Sequence, residues 1–344
     1  MNMHEANAAK ILEGTRERNR RLHIVIALLL MLMILLSLCM MTYGNTVYSL
    51  SHVWNVLQGI EEEGSFTILT LRLPRLLSGI LAGFAFGIAG SVFQTMLHNP
   101  LANPNILGIT SASSAGAVFC ILVLQAGYTA QFTGSILAAV ITAGLIYGLS
   151  RVRRYTTGRL ILIGIGFQAM MNAAINYMML IGNENDIASA MRWMSGSLNG
   201  ATMASIAPLA VSVMLLTPVI LASSRRLQIL ELGDESAISL GSDPAKARAV
   251  LMLSTVVLTA VASAATGPIA FVAFLSGPIG RKLAGYGSCS PLPGGLFGIV
   301  LVLASDLLGQ YAFEIRFPVG VITGLLGAPY LIWLLIRMNK RGEL

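Results

Sequence analysis

The stretch Leu76-Leu77-Ser78-Gly79-Ile80-Leu81-Ala82-Gly83-Phe84-Ala85-Phe86-Gly87-Ile88-Ala89-Gly90 opens a run that reaches Ser150 without one Asp, Glu, Lys or Arg. Seventy-five consecutive residues of this kind cannot build a water-exposed surface. A second charge-free run covers Ala249 to Gly280. The whole chain agrees with them. Of 344 residues, 55% are hydrophobic and 11% charged, whereas a soluble domain is roughly one quarter charged. The length alone would suggest two soluble domains; the composition excludes that and makes the chain an all-α integral membrane protein.

A bilayer crossing needs about 20 largely apolar residues. Candidate spans fall at 24–41, 76–97, 106–124, 132–150, 160–182, 206–222, 249–265, 267–280, 292–310 and 319–336. Ten crossings, an even number, put both termini on one side. The first follows Arg16, Arg18, Arg20 and Arg21, and Met40-Met41-Thr42-Tyr43 offers no small-residue cleavage site, so it reads as a retained helix rather than a signal peptide. The eighth is short and bracketed by Pro268 and Pro278, which suits a broken span facing protein or a water-filled cavity. The third opens on Thr110-Ser111-Ala112-Ser113-Ser114, which suits a cavity wall better than a lipid face.

The positive-inside rule tests this count. With the N-terminus in the cytoplasm, the inner segments hold Lys10, Arg16, Arg18, Arg20 and Arg21; Arg151, Arg153, Arg154 and Arg159; Arg225, Arg226, Lys246 and Arg248; Arg281 and Lys282; Arg337, Lys340 and Arg341. The outer segments hold only Arg72, Arg75, Arg192 and Arg316. The net charge of +7 is therefore a topology signal, and nucleic acid drops out as a partner. Residues 1–22 form a cytoplasmic N-terminal segment, and 1–344 read as a single transmembrane domain.

Within the spans, Gly79-x-x-x-Gly83-x-x-x-Gly87 forms a groove for a close neighbour, and Gly320, Gly324 and Gly327 repeat the device. Gln168, Asn172 and Asn176 share one face of the fifth span at i, i+4 and i+8. That face is either a pore wall or a seam of interhelical hydrogen bonds, because amides in hydrocarbon are costly. Asp306 is the one acid deep in a span. It reads either as a structural hydrogen-bond acceptor near the outer helix end or as part of a proton relay, although no other ionisable residue lies at comparable depth.

Enzyme chemistry is missing. There is no G-x-x-x-x-G-K-[ST] phosphate loop, no H-E-x-x-H and no Gly-x-Ser-x-Gly, and the four His are scattered. Cys39, Cys120 and Cys289 lie far apart, with no metal-ligand spacing; Cys39 and Cys120 read as small buried hydrophobes. No metal site and no bound cofactor are expected.

Two loops look built for partners. Outside, Leu71-Arg72-Leu73-Pro74-Arg75 places two arginines where the positive-inside rule disfavours them, with Pro74 suited to a helix's first turn. Both guanidinium groups can face outward as carboxylate receptors; the alternative is a pair of headgroup anchors. Inside, Leu230-Glu231-Leu232-Gly233-Asp234-Glu235-Ser236-Ala237-Ile238-Ser239-Leu240-Gly241 reads as a short amphipathic helix framed by Gly233 and Gly241, set in an inner segment spanning 228–243. It suits either a groove on a cytoplasmic partner or the lipid surface.

Taken in order, Leu71–Arg75 before a Gly-rich helix, Gln94, His98-Asn99-Pro100-Leu101-Ala102-Asn103-Pro104, Gly233-Asp234-Glu235 through Leu240-Gly241, Thr266-Gly267-Pro268-Ile269-Ala270-Phe271, and Phe317-Pro318-Val319-Gly320 through Gly327-Ala328-Pro329 closely resemble the permeases of iron-siderophore and vitamin-B12 ABC importers. The resemblance covers about residues 25 to 337. Gly164-Ile165-Gly166 and Trp193-Met194-Ser195-Gly196-Ser197-Leu198-Asn199-Gly200 look most like permeases for ferric siderophores, particularly catecholates. The resemblance implies a type II ABC importer fold with inverted repeats, spans 2–5 and 7–10. It also implies a second permease subunit (a paralogue being favoured), two ATPase subunits that bind ATP and Mg, and an extracytoplasmic substrate-binding protein, all at a bacterial inner or plasma membrane. It assigns Arg72 and Arg75 to docking of the binding protein. Glu231, Gly233, Asp234, Glu235, Leu240 and Gly241 fall to ATPase coupling, and Asn99, Leu101, Thr157 and Gly158 to a cytoplasmic gate. Gln310 stands about where the vitamin-B12 branch carries a further docking arginine. The expected function is ferric-siderophore import by a non-catalytic permease. Haem or cobalamin import by the same fold, or ion-coupled secondary transport, are the alternatives.

Overall fold

The computed structural model describes residues 3–150, 157–285 and 290–341. Fourteen helices are described among them: α1 (Met3–Thr42), α2 (Leu50–Leu57), α3 (Leu73–Met96), α4 (Ile109–Leu122), α5 (Tyr128–Ser150), α6 (Thr157–Ile181), α7 (Glu184–Met194), α8 (Met203–Ala222), α9 (Ser224–Glu231), α10 (Asp234–Ser239), α11 (Pro244–Thr266), α12 (Val272–Ala284), α13 (Leu292–Tyr311) and α14 (Val319–Arg341). A π-helical stretch, Phe66–Arg72, leads directly into α3. Eight of these pieces are long and apolar enough to cross a membrane, the Phe66–Met96 helix counting as one.

The remaining two candidate spans are α4, of 14 residues, and α12, of 13. At about 1.5 Å per residue neither covers a hydrocarbon core about 30 Å thick. The ten expected crossings therefore resolve into eight long helices and two short ones. The short pair sit at equivalent places, each the second helix of a four-span half. Each follows an irregular segment that ends in a left-handed residue, Gly108 at φ 70° before α4 and Phe271 at φ 60° before α12. Interrupted helices at matching places in two halves are the mark of a repeated transporter fold. Pro278 does not bracket the eighth span as expected; it lies inside α12, and the break falls at Gly267–Phe271 instead.

The outer arginine motif is also not a loop. Phe66-Thr67-Ile68-Leu69-Thr70-Leu71 is apolar enough to stay helical, so Leu71–Arg75 lies within a continuous 31-residue helix. Pro74 has no N–H to donate and would break a regular α ladder. The wider i→i+5 register absorbs it, and the Leu73 N–H bonds back to the Ile68 carbonyl. At the other end of the fold α1 is helical from Met3, so the described part of the N-terminal segment is continuous with the first span.

Helix α3 is the most enclosed span and packs on α13, α12, α11 and α8. The glycine groove explains its contact with α13. A Cβ on Gly83 would lie 2.7 Å from the Gly298 carbonyl oxygen, and one on Gly87 would overlap the Gly294 carbonyl. Gly294 and Gly298 are themselves four apart, so two small-residue grooves interlock. On α14 the device is partial: Gly320 abuts the Ser195 carbonyl and Gly327 the Phe271 ring, whereas Gly324 faces open space. Cys120 is buried as expected. Cys39 is exposed, because it lies on the outward side of peripheral α1. Cys289 lies outside the described residues.

Candidate functional site

At the end expected to be outer, α3 delivers Arg72 and Arg75 into different surroundings. Arg72 is 9% exposed. Its Nη1 donates to the Met41 carbonyl and its Nη2 to the Thr46 carbonyl, both at 2.6 Å, and its Cζ lies 5.1 Å from the Tyr48 ring. Met41 is in the last turn of α1, whose unpaired carbonyls carry partial negative charge. Arg75 forms a two-pronged pair with Asp306, Nε to Oδ2 at 2.6 Å and Nη2 to Oδ1 at 2.7 Å. Its remaining Nη1 donates to Asn199 Oδ1 at 2.7 Å. The expectation that both guanidinium groups face outward is therefore corrected. At the edge of a low-dielectric bundle a cation takes the nearest acceptors, and here those are inside. Arg316 remains exposed and donates to Asn45 Oδ1 at 2.8 Å. These residues line a cavity of about 260 Å³, together with Gln310, whose buried Nε2 has no partner.

Nothing in the sequence marks Asn199 and Asp306 as partners of Arg75. Asp306 acts as a structural acceptor near the C-terminal end of α13. The sequence motifs converge around it. The Ser197 N–H bonds to the Thr266 carbonyl at 2.8 Å, and the Gly320 N–H to the Gly196 carbonyl at 3.1 Å. The Trp193–Gly200, Thr266–Phe271 and Phe317–Gly320 stretches thus form one packed unit behind Arg75.

At the opposite end, Asn99 Oδ1 accepts from the Leu101 N–H at 2.8 Å, closing a tight turn after α3. His98, at φ 51°, donates from Nε2 to the Leu230 carbonyl at 3.0 Å. Gly158, in the first turn of α6, is exposed with open space around it; Thr157 begins that helix, and its side chain lies outside the described residues, as do Arg151, Arg153 and Arg154.

The expected inner helix is α10, only six residues long, because Leu230 and Glu231 belong to α9 instead. Gly233 and Gly241 frame it at φ 93° and 77°, conformations that favour glycine. Two of the three acids in the Glu231–Gly241 segment are tied down. Arg281 Nη1 donates to Glu231 Oε1 at 2.8 Å, and the same guanidinium reaches Thr95 Oγ1. Buried Arg248 clamps Asp234, with Nη1 to Oδ2 at 2.8 Å and Nη2 to Oδ1. That hydrogen bond holds the Asp234 carboxyl below the usual carboxylate range, against the upward pull of partial burial. Glu235 is left open beside exposed Leu232, Ile238 and Leu240. These apolar knobs and one acid form an exposed face.

Between the two ends, Asn172 and Asn176 are exposed on α6 and Gln168 is half-buried. Asn172 lines a cleft of about 230 Å³ with Ser111, Ser114 and Met194. The polar opening of α4 divides: Ser111 and Ser114 face that cleft, whereas Ser113 bonds to Ser135 of α5 at 2.5 Å.

The sequence matches the FecCD transport family over residues 29–337. The chain belongs to the FecCD transport family. The ferric enterobactin transport system permease protein FepG of Escherichia coli (strain K12) is 33% identical over 94% of this chain and 98% of its own length. The Fe(3+)-citrate import system permease protein YfmE of Bacillus subtilis (strain 168) is 31% identical over the same shares. Among solved structures, a metal-chelate type ABC transporter chain in an inward-facing conformation superimposes with a TM-score of 0.82 at 26% identity, covering 92% of this chain and 99% of that one. Other matching FecCD relatives are named for hemin and cobalamin. This FecCD chain is a multi-pass, non-catalytic permease subunit of an ABC importer in the iron-siderophore, haem and cobalamin class. ATP is bound by partner subunits of such importers.

Proposed function

We propose that this permease carries a ferric siderophore across a bacterial plasma membrane as half of a two-permease pathway, with a paralogue as the other half. The observation that carries the reading is the amide face of α6. Asn172 and Asn176 are exposed on a membrane helix, where an amide needs water or a partner. The adjoining cleft is lined by hydroxyls, amides and Met194, without a fixed charge. Such a wall lets a bulky chelate slide past without holding it. The likeness to the enterobactin and ferric-citrate permeases supports iron chelates over haem or cobalamin.

In this reading the whole chain is one transmembrane domain with both termini in the cytoplasm. The binding protein docks at the Arg72, Arg75 and Arg316 end, with exposed Arg316 offering the accessible charge and Arg75 held by Asp306 and Asn199. Two ATPases grip the 228–243 segment through Glu231, Gly233, Asp234, Glu235, Leu240 and Gly241. Asn99, Leu101, Thr157 and Gly158 form the inner gate, and Gln168, Asn172 and Asn176 line the pathway.

The test is uptake into vesicles holding the assembled transporter, with ferric catecholate, ferric citrate, haemin and cobalamin offered singly. ATP-dependent accumulation of a ferric chelate, lost in Asn172→Leu/Asn176→Leu, is expected. Accumulation of haemin or cobalamin with no ferric chelate uptake overturns the cargo, and uptake that persists without ATP overturns the mechanism.

A further inference from the structure

A cavity of about 440 Å³ opens between α12 and α14 at the same end as α10. Its lining joins polar Gln94, Thr95, Arg281 and Glu231 to apolar residues such as Leu334 and Met338. Two cations converge on one indole: Lys282 Nζ lies 5.5 Å from the Trp333 ring centroid and Arg337 Cζ 5.2 Å.

The neighbouring charges are already matched. The last carbonyls of α12 accept from Arg21, whose Nε donates to Leu283 at 2.9 Å and Nη2 to Lys282 at 3.1 Å. Arg281 is engaged by Glu231 and Thr95. Among the described residues no carboxylate forms an ion pair with Lys282 or Arg337. Two positive charges thus converge beside a Trp at the end of the spans, the depth at which lipid headgroups lie. Basic pockets between membrane helices suit anionic headgroups, and the apolar lining suits a glycerol and the start of an acyl chain.

We propose that this cavity binds the phosphodiester headgroup of an anionic membrane lipid, held by Lys282 and Arg337 over the Trp333 ring. The site does not depend on the identity of the cargo. The lipid bridges α12 and α14 next to the Arg281–Glu231 pair, and so ties the last span to the segment that meets the ATPases.

The experiment is native mass spectrometry of the assembled transporter, titrated with phosphatidylglycerol or phosphatidylcholine, with inorganic phosphate as a competitor. Phosphatidylglycerol is expected to bind preferentially. Lys282→Gln/Arg337→Gln should weaken it roughly tenfold or more, two cations near a membrane surface being involved. The charge-conserving Lys282→Arg/Arg337→Lys should keep it. In the unaltered protein, binding should also weaken as salt rises, a readout independent of any variant's folding. Equal binding of the two lipids, or unchanged phosphatidylglycerol binding in the double Gln variant, overturns the site. Full displacement by millimolar inorganic phosphate overturns the lipid as its occupant.

Discussion

Arg75 and Asp306 lie 231 residues apart and meet through two parallel hydrogen bonds of 2.6 and 2.7 Å that join the start of α3 to the last turns of α13. Asp306 is 2% exposed. The pair fastens together two helices that also interlock through Gly83, Gly87, Gly294 and Gly298.

Removing one partner of a buried ion pair strands the other charge, at a cost of about 3–5 kcal/mol. Asp306→Ala should therefore lower the thermal unfolding temperature of the detergent-purified protein markedly. Arg75→Ala/Asp306→Ala should recover part of the loss. Equal melting curves for the single variant and the parent would show that the pair contributes nothing. A pure proton-relay role for Asp306 predicts normal melting with lost uptake instead.

The glycine seam makes a graded prediction. Gly83→Leu forces side-chain atoms into the Gly298 backbone and should cost about 1–3 kcal/mol or more, read as loss of the monodisperse peak in size-exclusion chromatography. Gly324→Ala meets nothing within 4 Å and should be neutral or slightly stabilising, since Ala favours helix. A reversed order of the two would refute the packing.

Arg72 and Arg316 should separate structure from docking. Arg72→Gln breaks contacts to the Met41 and Thr46 carbonyls and is expected to lower the unfolding temperature. Arg316→Glu should leave that temperature unchanged while cutting binding-protein stimulation of ATP hydrolysis several-fold, most clearly at low salt. Full stimulation in Arg316→Glu would remove it from the docking surface.

The Asp234–Arg248 clamp carries a pH signature. Its carboxyl titrates lower in the folded state than in the unfolded chain, so the pair's contribution is complete above about pH 4, the ordinary carboxylate value. It fades only as pH falls through the lower folded value. Hydrogen-exchange protection of residues 234–239, corrected for intrinsic rates, should stay flat from about pH 8 to 5 and collapse below about 4. Arg248→Gln should loosen the segment across the whole range. Protection that already fails near neutral pH would contradict the assignment.

The long apolar helices were legible because periodicity and charge act over 20 residues at a time. The Gly83 and Gly87 groove was legible too, since small residues four apart have few other uses in a membrane helix. Pairings across distance were not. Nothing in Asp306 names Arg75, and nothing in Arg248 names Asp234, because each meeting depends on how separate helices dock. The orientation of Arg72 failed for the same reason: its acceptors are backbone carbonyls of α1, and any residue type carries those. The π register at Pro74 escaped notice because proline usually signals a start, and the preceding apolar run allowed the helix to begin earlier.

Helix α3 meets α13 and α12 backbone to backbone at Gly83, Gly87 and Gly90, which leaves little room to slide. It is therefore a fixed axle. If the openings alternate, loosely enclosed helices such as α6 should swing about that axle, so a spin-label pair on α3 and α13 should keep one distance through the whole ATP cycle while a label on α6 travels.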